Sequence, residues 1–478
     1  MKLYERVAQE IGQRIEQGFY APGSRLPSIR SLSKDHGISI STAQEAYRLL
    51  EDQGLAEARP KSGYFVGQRP RPPQLPEVSR PTQRPVDVSQ WHEVLQLLSS
   101  HCKHGEDRIA LGRGMPDYDG PTLKPLLKNM SNMTRDATDL GMGYDQLPGL
   151  EALRYQIARL MIDSGCQLHP DDIIITSGCQ EALSISIRAT TKPGDVVAVD
   201  SPSFYGSMQT LRAQKIKALE IPTHPETGIS IEALELALEQ WPISVVQVTP
   251  SCNNPLGYTM PVERKEQLYK LAQRYDIAII EDDIYGDLSY ELPRSRTIKS
   301  FDRDGRVLLC SSFSKTIAPG FRVGWAAPGR YRDLVMHMKY VSTACTATLP
   351  QRAVAEFVAD GGYERHLRKM RQQYRHSRDV MLGWIEQYFP KGIRASYPQG
   401  SFLLWVELPE EIDSVELNNR LEPKAIQIAP GVLFSATGKY RNCIRMNYSE
   451  PPSERLENAV KLIGEEIQSL LAEQNSAA

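Results

Sequence analysis

The stretch Ser311-Ser312-Phe313-Ser314-Lys315-Thr316-Ile317-Ala318-Pro319-Gly320-Phe321-Arg322 sets one lysine among hydroxyls, with an arginine seven residues on. A lysine in this setting can supply a neutral amine to an aldehyde, while serine hydroxyls and a guanidinium neutralise a phosphate dianion through charge-assisted hydrogen bonds. Those are the requirements of a pyridoxal 5'-phosphate (PLP) pocket. The apolar run Val307-Leu308-Leu309-Cys310 immediately precedes it, so the lysine stands just past the end of a strand.

Four more runs have the same character: Ile173-Ile174-Ile175-Thr176, Val196-Val197-Ala198-Val199-Asp200, Val245-Val246-Gln247-Val248 and Ile277-Ala278-Ile279-Ile280. Strands that are apolar throughout and separated by helical segments form a largely parallel sheet covered on both faces. After about residue 330 the pattern changes to a long charged helix over residues 364–388. A strand-like Ser401-Phe402-Leu403-Leu404-Trp405-Val406 follows, which indicates a smaller α+β subdomain.

Ligands of open α/β sheets collect where the strands end. Ser177-Gly178-Cys179-Gln180 joins a strand to a helix whose N-terminal amides suit an anion. Asp200-Ser201-Pro202-Ser203-Phe204-Tyr205 ends the next strand with an aromatic able to lie on a flat ring, Asn253-Asn254-Pro255-Leu256-Gly257 follows a third, and Glu281-Asp282-Asp283-Ile284-Tyr285 a fourth. Taken singly, each has a plain structural reading. A lysine after serines is ordinarily a loop lysine, Asn-Pro-x-Gly a turn, and a cysteine such as Cys179 a small buried residue. It is the set, in this order, that points to a cofactor.

The chain begins differently. Leu3, Val7, Ile11 and Ile15 recur every four residues and predict a helix ending near Gly18. Leu26-Pro27-Ser28 opens a second helix closed by Gly37, and a third spans residues 39–53 with Ser39 as N-cap and Ala43, Ala46, Tyr47 and Leu50 as its buried face. Two short strands around residues 55–57 and 64–66, with Lys61-Ser62-Gly63 at the tip, complete a winged helix-turn-helix. Its third helix suits the major groove, with Ser41, Thr42 and Gln44 toward base edges or phosphates, and Arg59, Lys61 and the wing toward an adjacent backbone. Between Gly67 and Val86 there are six prolines and almost no apolar periodicity, which predicts an extended, semi-rigid linker outside the core. Arg69, Arg71, Arg80 and Arg84 against Glu77 make that linker basic.

With 478 residues, the chain exceeds a single hydrophobic core. Its net charge of -2 does not by itself mark a nucleic-acid binder, so charge must be read locally. The seven cysteines are scattered, with no metal-ligand spacing, as expected of reduced thiols, and no metal site is expected. The N-terminus has no signal-peptide core and no run approaches a membrane span, so a cytoplasmic protein without a membrane partner is expected.

Residues 108–478 resemble a fold-type I, aspartate-aminotransferase-like PLP domain, and residues 1–68 resemble a GntR-type winged helix; together they resemble the MocR subfamily of GntR regulators. The expected fold class is therefore multidomain α/β: residues 1–68 bind DNA, 69–107 form a Pro/Arg-rich linker and lead-in, and 108–478 bind PLP, with a large part to about 330 and a small subdomain from 331. The resemblance implies that Lys315 holds PLP as a Schiff base, Asp282 pairs with the pyridine nitrogen, Asn254 and Tyr285 bond the 3'-oxygen, and Phe204 stacks on the ring where the family more often has tyrosine. Cys179, Gln180, Ser312, Ser314 and Arg322 would hold the phosphate, with Tyr144 reaching it from the second subunit of a homodimer. Arg445 matches the arginine that takes a substrate α-carboxylate, with Gly114 lining the same site. On the DNA side it implies a phosphate contact at Arg30 of the Leu26-Pro27-Ser28-x-Arg30 pattern, with Ser28 and Ser39 also among the DNA-binding residues. Ile40 and Gln44 stand where many relatives carry arginines. The expected function is a PLP-dependent transcriptional regulator that senses PLP, an amino acid or an amine by Schiff-base exchange at Lys315. An active aminotransferase with an accessory DNA-binding domain is the alternative, and a PLP reservoir a third reading.

Overall fold

The computed structural model describes residues 2–21, 23–52, 54–59, 62–67, 73–89, 91–99, 108–118, 120–136 and 143–477. Gln53, Lys61, Arg69, Arg71 and Cys102, all included in the expectations above, lie outside the described residues.

Helices α1 (Leu3–Glu16), α2 (Ile29–Asp35) and α3 (Ile40–Asp52) precede a hairpin of β1 (Ala56–Arg59) and β2 (Gly63–Val66). Val7, Ala8 and Ile11 of α1 meet Leu32 of α2 and Ala43, Ala46, Tyr47 and Leu50 of α3 in one small core. Gly37, at φ 60°, supplies the left-handed residue that ends α2, and the Ser39 hydroxyl accepts the N–H of Thr42 at 3.1 Å to start α3. The wing is fastened to α3 by an aromatic pair: the Tyr64 and Tyr47 rings stack at 4.2 Å.

Behind β3 (Ile109–Ala110) comes an eight-stranded sheet: β4 (Ile174–Thr176), β5 (Val196–Ser201), β6 (Lys217–His224), β7 (Gly228–Ile229), β8 (Ile243–Val248), β9 (Ala278–Asp282), β10 (Val307–Ser312) and β11 (Gly324–Ala327). Their spatial order is β4-β11-β10-β9-β8-β5-β6-β7. The β10/β9, β9/β8, β8/β5 and β5/β6 pairs are parallel, while β11 runs antiparallel to both neighbours and β7 to β6. Alternate residues face opposite layers: Ala198, Val246 and Ile279 enter one apolar cluster, and Val197, Val245 and Ile280 the other. All five expected strands are present. Strands β6 and β11 were not expected, because Lys217, Glu220 and His224 interrupt the first and Gly324 opens the second.

A second sheet, β12 (Arg394–Ala395), β13 (Leu403–Glu407), β16 (Cys443–Asn447) and β15 (Ala429–Pro430), is antiparallel, while β14 (Ile426–Gln427) pairs with β3. The long helix Gly362–Tyr388 packs on it, with the Tyr374 ring 5.4 Å from that of Phe402.

The linker differs from expectation. Residues 73–89 are pinned along the large sheet and the smaller subdomain rather than free of them. Ala395 N–H donates to Gln74 O at 2.9 Å, Thr223 N–H to the Ser79 hydroxyl at 3.0 Å, and Val86 exchanges two 2.9 Å backbone bonds with Ala218 at the edge of β6. Ser79 and Val88 are buried, and Val88 joins an apolar cluster. Extended backbone can be held by edge hydrogen bonds without any apolar periodicity, so composition alone does not reveal the attachment.

Candidate functional site

The C-terminal ends of β5, β8, β9 and β10 converge on a cavity of about 130 Å³ lined by Cys179, Gln180, Phe204, Asn254, Asp282, Tyr285, Ser314, Lys315 and Arg322. Leu183, Ile284 and Pro319 supply its apolar walls and were not singled out from the sequence. Nothing in their residue types marks them, since any apolar side chain after a strand reads as core.

Lys315 Nζ donates to the carbonyl of Gly114. Burial, reinforced by the Arg445 guanidinium and only partly opposed by Asp282, lowers its ammonium to about 8. Burial raises the Asp282 carboxyl to about 6, against the stabilising Ile284 N–H at 3.1 Å and the Cys179 thiol at 3.4 Å. At neutral pH Asp282 is therefore largely ionised and positioned to pair with a cation. The Ser314 hydroxyl is buried without a partner, the state of a donor built for an absent acceptor.

The phosphate side is shaped by glycine. Gly178, at φ 89°, starts the helix Cys179–Thr190, and a Cβ there would lie 2.6 Å from Arg322 Nη2. A Cβ on Gly324 would lie 2.4 Å from the Gly178 carbonyl carbon. Arg322 reaches this helix start, donating to Ser177 O at 2.7 Å. Helix N-terminus, guanidinium and orphan hydroxyl together fit a phosphate ester, and Lys315 and Asp282 fit the aldehyde and ring nitrogen of PLP.

Arg445 is wholly buried. Its Nη1 donates to Asn254 Oδ1 at 3.1 Å and its Nη2 to Gly112 O at 2.6 Å, while Nε has no partner. The Phe434 and Tyr205 rings flank the guanidinium at 4.9 and 5.8 Å. Gly114 borders it: a Cβ there would be 3.8 Å from both Arg445 Nη2 and Tyr285 Oη. With both Nη groups hydrogen-bonded, Nε is left as the unpaired donor of a guanidinium flanked by two aromatic rings.

Two of the expected phosphate residues, Ser312 and Tyr144, are not at the cavity wall, and a third, Gln180, is turned away from its centre. Ser312 lies beneath it, its hydroxyl accepting the Ser314 N–H at 3.3 Å. Gln180 lines the cavity, but its amide is turned to Gly206 O and Thr210 Oγ1 at 3.0 and 2.9 Å. Tyr144 is 94% exposed and outside the cavity of its own chain. Asp200, quoted only as a strand end, is buried and held by Thr249 N–H and Asn253 Nδ2, both at 3.2 Å; desolvation lifts it to about 7.

On the winged helix, Arg30, Ser41, Gln44 and Arg59 are exposed and Thr42 is half-buried. The hydroxyls of Ser28 and Ser39 are occupied as caps, Ser28 accepting the Ser31 N–H at 3.1 Å and Ser39 meeting Ser41 and Thr42 hydroxyls at 2.8 Å. Arg59 lies over the Phe65 ring at 4.4 Å. Arg25, exposed and bridged to Phe65 of the wing, lies beside it although it sits in a turn far from the wing in sequence.

Among the described residues no helix is long and apolar enough to cross a membrane, and no group of three metal-ligating side chains occurs. Residues 106–463 match the family model for aminotransferase class I and II, and residues 3–66 match that for bacterial regulatory proteins of the gntR family. The HTH-type transcriptional regulator YjiR of Escherichia coli is 52% identical over 98% of this chain and 99% of its own length. The multiple substrate aminotransferase of Thermococcus profundus superposes with a TM-score of 0.72 at 29% identity, covering 80% of this chain and 96% of that one. The α-aminoadipate aminotransferase LysN of Thermus thermophilus, complexed with N-(5'-phosphopyridoxyl)-L-leucine, gives 0.72 at 25% identity over 80% and 95%. Winged helix in front and fold-type I aminotransferase domain behind, with PLP as that domain's cofactor, the chain belongs to the GntR transcriptional regulators of MocR-like architecture.

Proposed function

We propose that the aminotransferase-like part of this regulator senses PLP or an amino compound by amine exchange at Lys315, and that the winged helix reports the result to an operator. The observation that carries this reading is the convergence of Lys315, Asp282, Asn254, Tyr285 and Arg322 on one cavity in a chain that also folds a winged helix. PLP, when bound, supplies an aldehyde carbon that one amine can take over from another. The chain's own residues do the rest. Lys315 gives and takes the amine and, once released, can carry a proton. Asp282 would keep a ring nitrogen protonated, Asn254 and Tyr285 would bond the 3'-oxygen, Phe204 would cover the ring, and Cys179, Ser314 and Arg322 would hold the phosphate, with Ser312 supporting Ser314 from behind and Gln180 joining them if its amide turns from Gly206. Arg445, beside Gly114, holds a carboxylate and thereby favours amino acids over simple amines.

In this reading the protein acts in the cytoplasm as a homodimer. The outward-facing Tyr144 completes the partner's phosphate site, and two winged helices address paired half-sites. Residues 1–68 contact DNA through Arg30, Ser41, Thr42, Gln44, Arg59 and Lys61, with Ser28 and Ser39 shaping the helix starts. Phosphate contacts and the arginines of residues 69–84 supply much of the affinity.

The test follows PLP absorbance as amino acids are added, then operator binding on the upstream DNA of the gene. Lys315→Ala should abolish the lysine-bound spectrum and the ligand response of DNA binding together. Unchanged ligand-responsive binding in that variant would sink the sensing reading. A working aminotransferase is the second reading, favoured by the depressed ammonium of Lys315, which suits a proton shuttle. Rapid keto-acid-dependent turnover without operator binding would establish it instead.

A further inference from the structure

The loop that follows Asp282 is tied to one end of the long helix Gly362–Tyr388. Tyr363 Oη donates to Asp287 Oδ2 at 2.8 Å, and Arg371 Nε donates to Asp287 O at 2.8 Å. Arg294, buried, grips both Asp283 and Asp287, so the backbone carrying Asp282 and Tyr285 and the start of this helix form one ionic unit. About three turns further on, Arg375 donates to Tyr290 O and packs against Gly54. A Cβ on Gly54 would sit 2.7 Å from Arg375 Nη1 and 2.8 Å from its Cδ. Gly54 also has φ 67°, so this turn is both left-handed and pressed against the guanidinium. It is the turn that closes α3, the helix carrying Ser41, Thr42 and Gln44. The winged helix meets the same subdomain again through the strap, where Arg394 of β12 bonds Glu77 at 2.6 Å and Ala395 bonds Gln74.

We infer that the Arg375 face of helix Gly362–Tyr388 is the docking surface of the winged helix, and that this helix transmits the state of the Asp282–Asp287 loop to α3. The inference rests on the sensing reading above. A shift of the loop moves the helix through Asp287, and the Gly54 turn, with no side chain to cushion it, moves with Arg375. Ligand binding can then bias DNA affinity only by favouring one seating of the winged helix over another.

The experiment compares full-length protein without and with PLP, measuring affinity for its own upstream DNA by fluorescence anisotropy. It also measures hydrogen exchange of the α3–β1 turn. Wild type and Lys369→Ala, an exposed site on the same helix, should change affinity on the order of tenfold with PLP. Arg375→Gln and Tyr363→Phe should reduce that change to less than about twofold while binding PLP with unaltered absorbance. Arg375→Gln should also raise exchange in the turn. Arg375→Lys, which keeps a donor for Tyr290 O but loses the flat guanidinium, should uncouple as well and covers the case in which the glutamine variant unfolds. Full PLP response in Arg375→Lys and Tyr363→Phe would overturn transmission, and unchanged turn exchange in every Arg375 variant would overturn the dock. A wild type whose DNA affinity ignores PLP and amino acids alike would instead bring down the sensing reading, and transmission with it, whatever the exchange data show.

Discussion

At the scale of single residues, Lys315 is governed by what surrounds it. An ammonium lowered to about 8 is still mostly protonated at neutral pH, and only the neutral amine attacks an aldehyde. The rate at which PLP-free protein captures PLP should therefore climb roughly tenfold per pH unit below about 8 and flatten above it. Stopped-flow absorbance between about pH 6 and 9 reads this directly, and a flat profile would contradict the account. Arg445 is one cause of the lowering, so Arg445→Gln should move the inflection to higher pH. In the proposed sensing role the same variant would also remove the donor to a ligand carboxylate. The amino-acid concentration needed to change the PLP spectrum should rise roughly 100-fold, the loss of about 2–3 kcal/mol expected for charge-assisted bonds, whereas a simple amine should be affected far less. That Lys315, Asp282, Asn254 and Arg322 meet at one cavity was legible in the sequence because each follows a recognisable strand or turn. Ser312 and Gln180 were legible as types but not as contacts, since which way a hydroxyl or amide turns depends on neighbours such as Gly206 and Thr210.

At the scale of elements, periodicity and capping were readable in advance and edges were not. Helices α1 to α3 and the long helix announce themselves by apolar spacing and by Ser28, Gly37 and Ser39 at their ends. Strands β6 and β11 carry polar or glycine residues where they border the core or the site, which hides them from a search for apolar runs. The strap shows the same limit. Its attachment depends on backbone donors, so Val86→Pro, which removes the N–H given to Ala218, should leave the sheet folded but expose residues 73–89 to limited proteolysis. Time-resolved mass mapping of the fragments checks this, and an unchanged pattern would show that Val86 is not an anchor. Release of the strap would also lengthen the effective tether of the winged helix.

At the scale of the whole molecule, the proposed homodimer carries a prediction of its own. Tyr144 faces solvent in a single chain, and in a homodimer its hydroxyl would join the partner's phosphate site. Tyr144→Phe should lower PLP affinity by roughly tenfold, the worth of one bond to a charged acceptor, while sedimentation shows the same dimer as wild type. A purely monomeric wild type, or a variant that binds PLP as tightly, would remove Tyr144 from the site. The sequence by itself determined the order of parts: winged helix, proline-arginine segment, parallel sheet with a lysine past its fifth apolar run, and a smaller subdomain. These are properties of local periodicity, capping and motif spacing, which act over a few residues. Only the tertiary structure decided that the linker is a strap, that Arg445 lies between two aromatic rings against Asn254, and that Arg375 packs against Gly54. Each joins residues more than a hundred positions apart, through backbone bonds and close packing that no local pattern encodes.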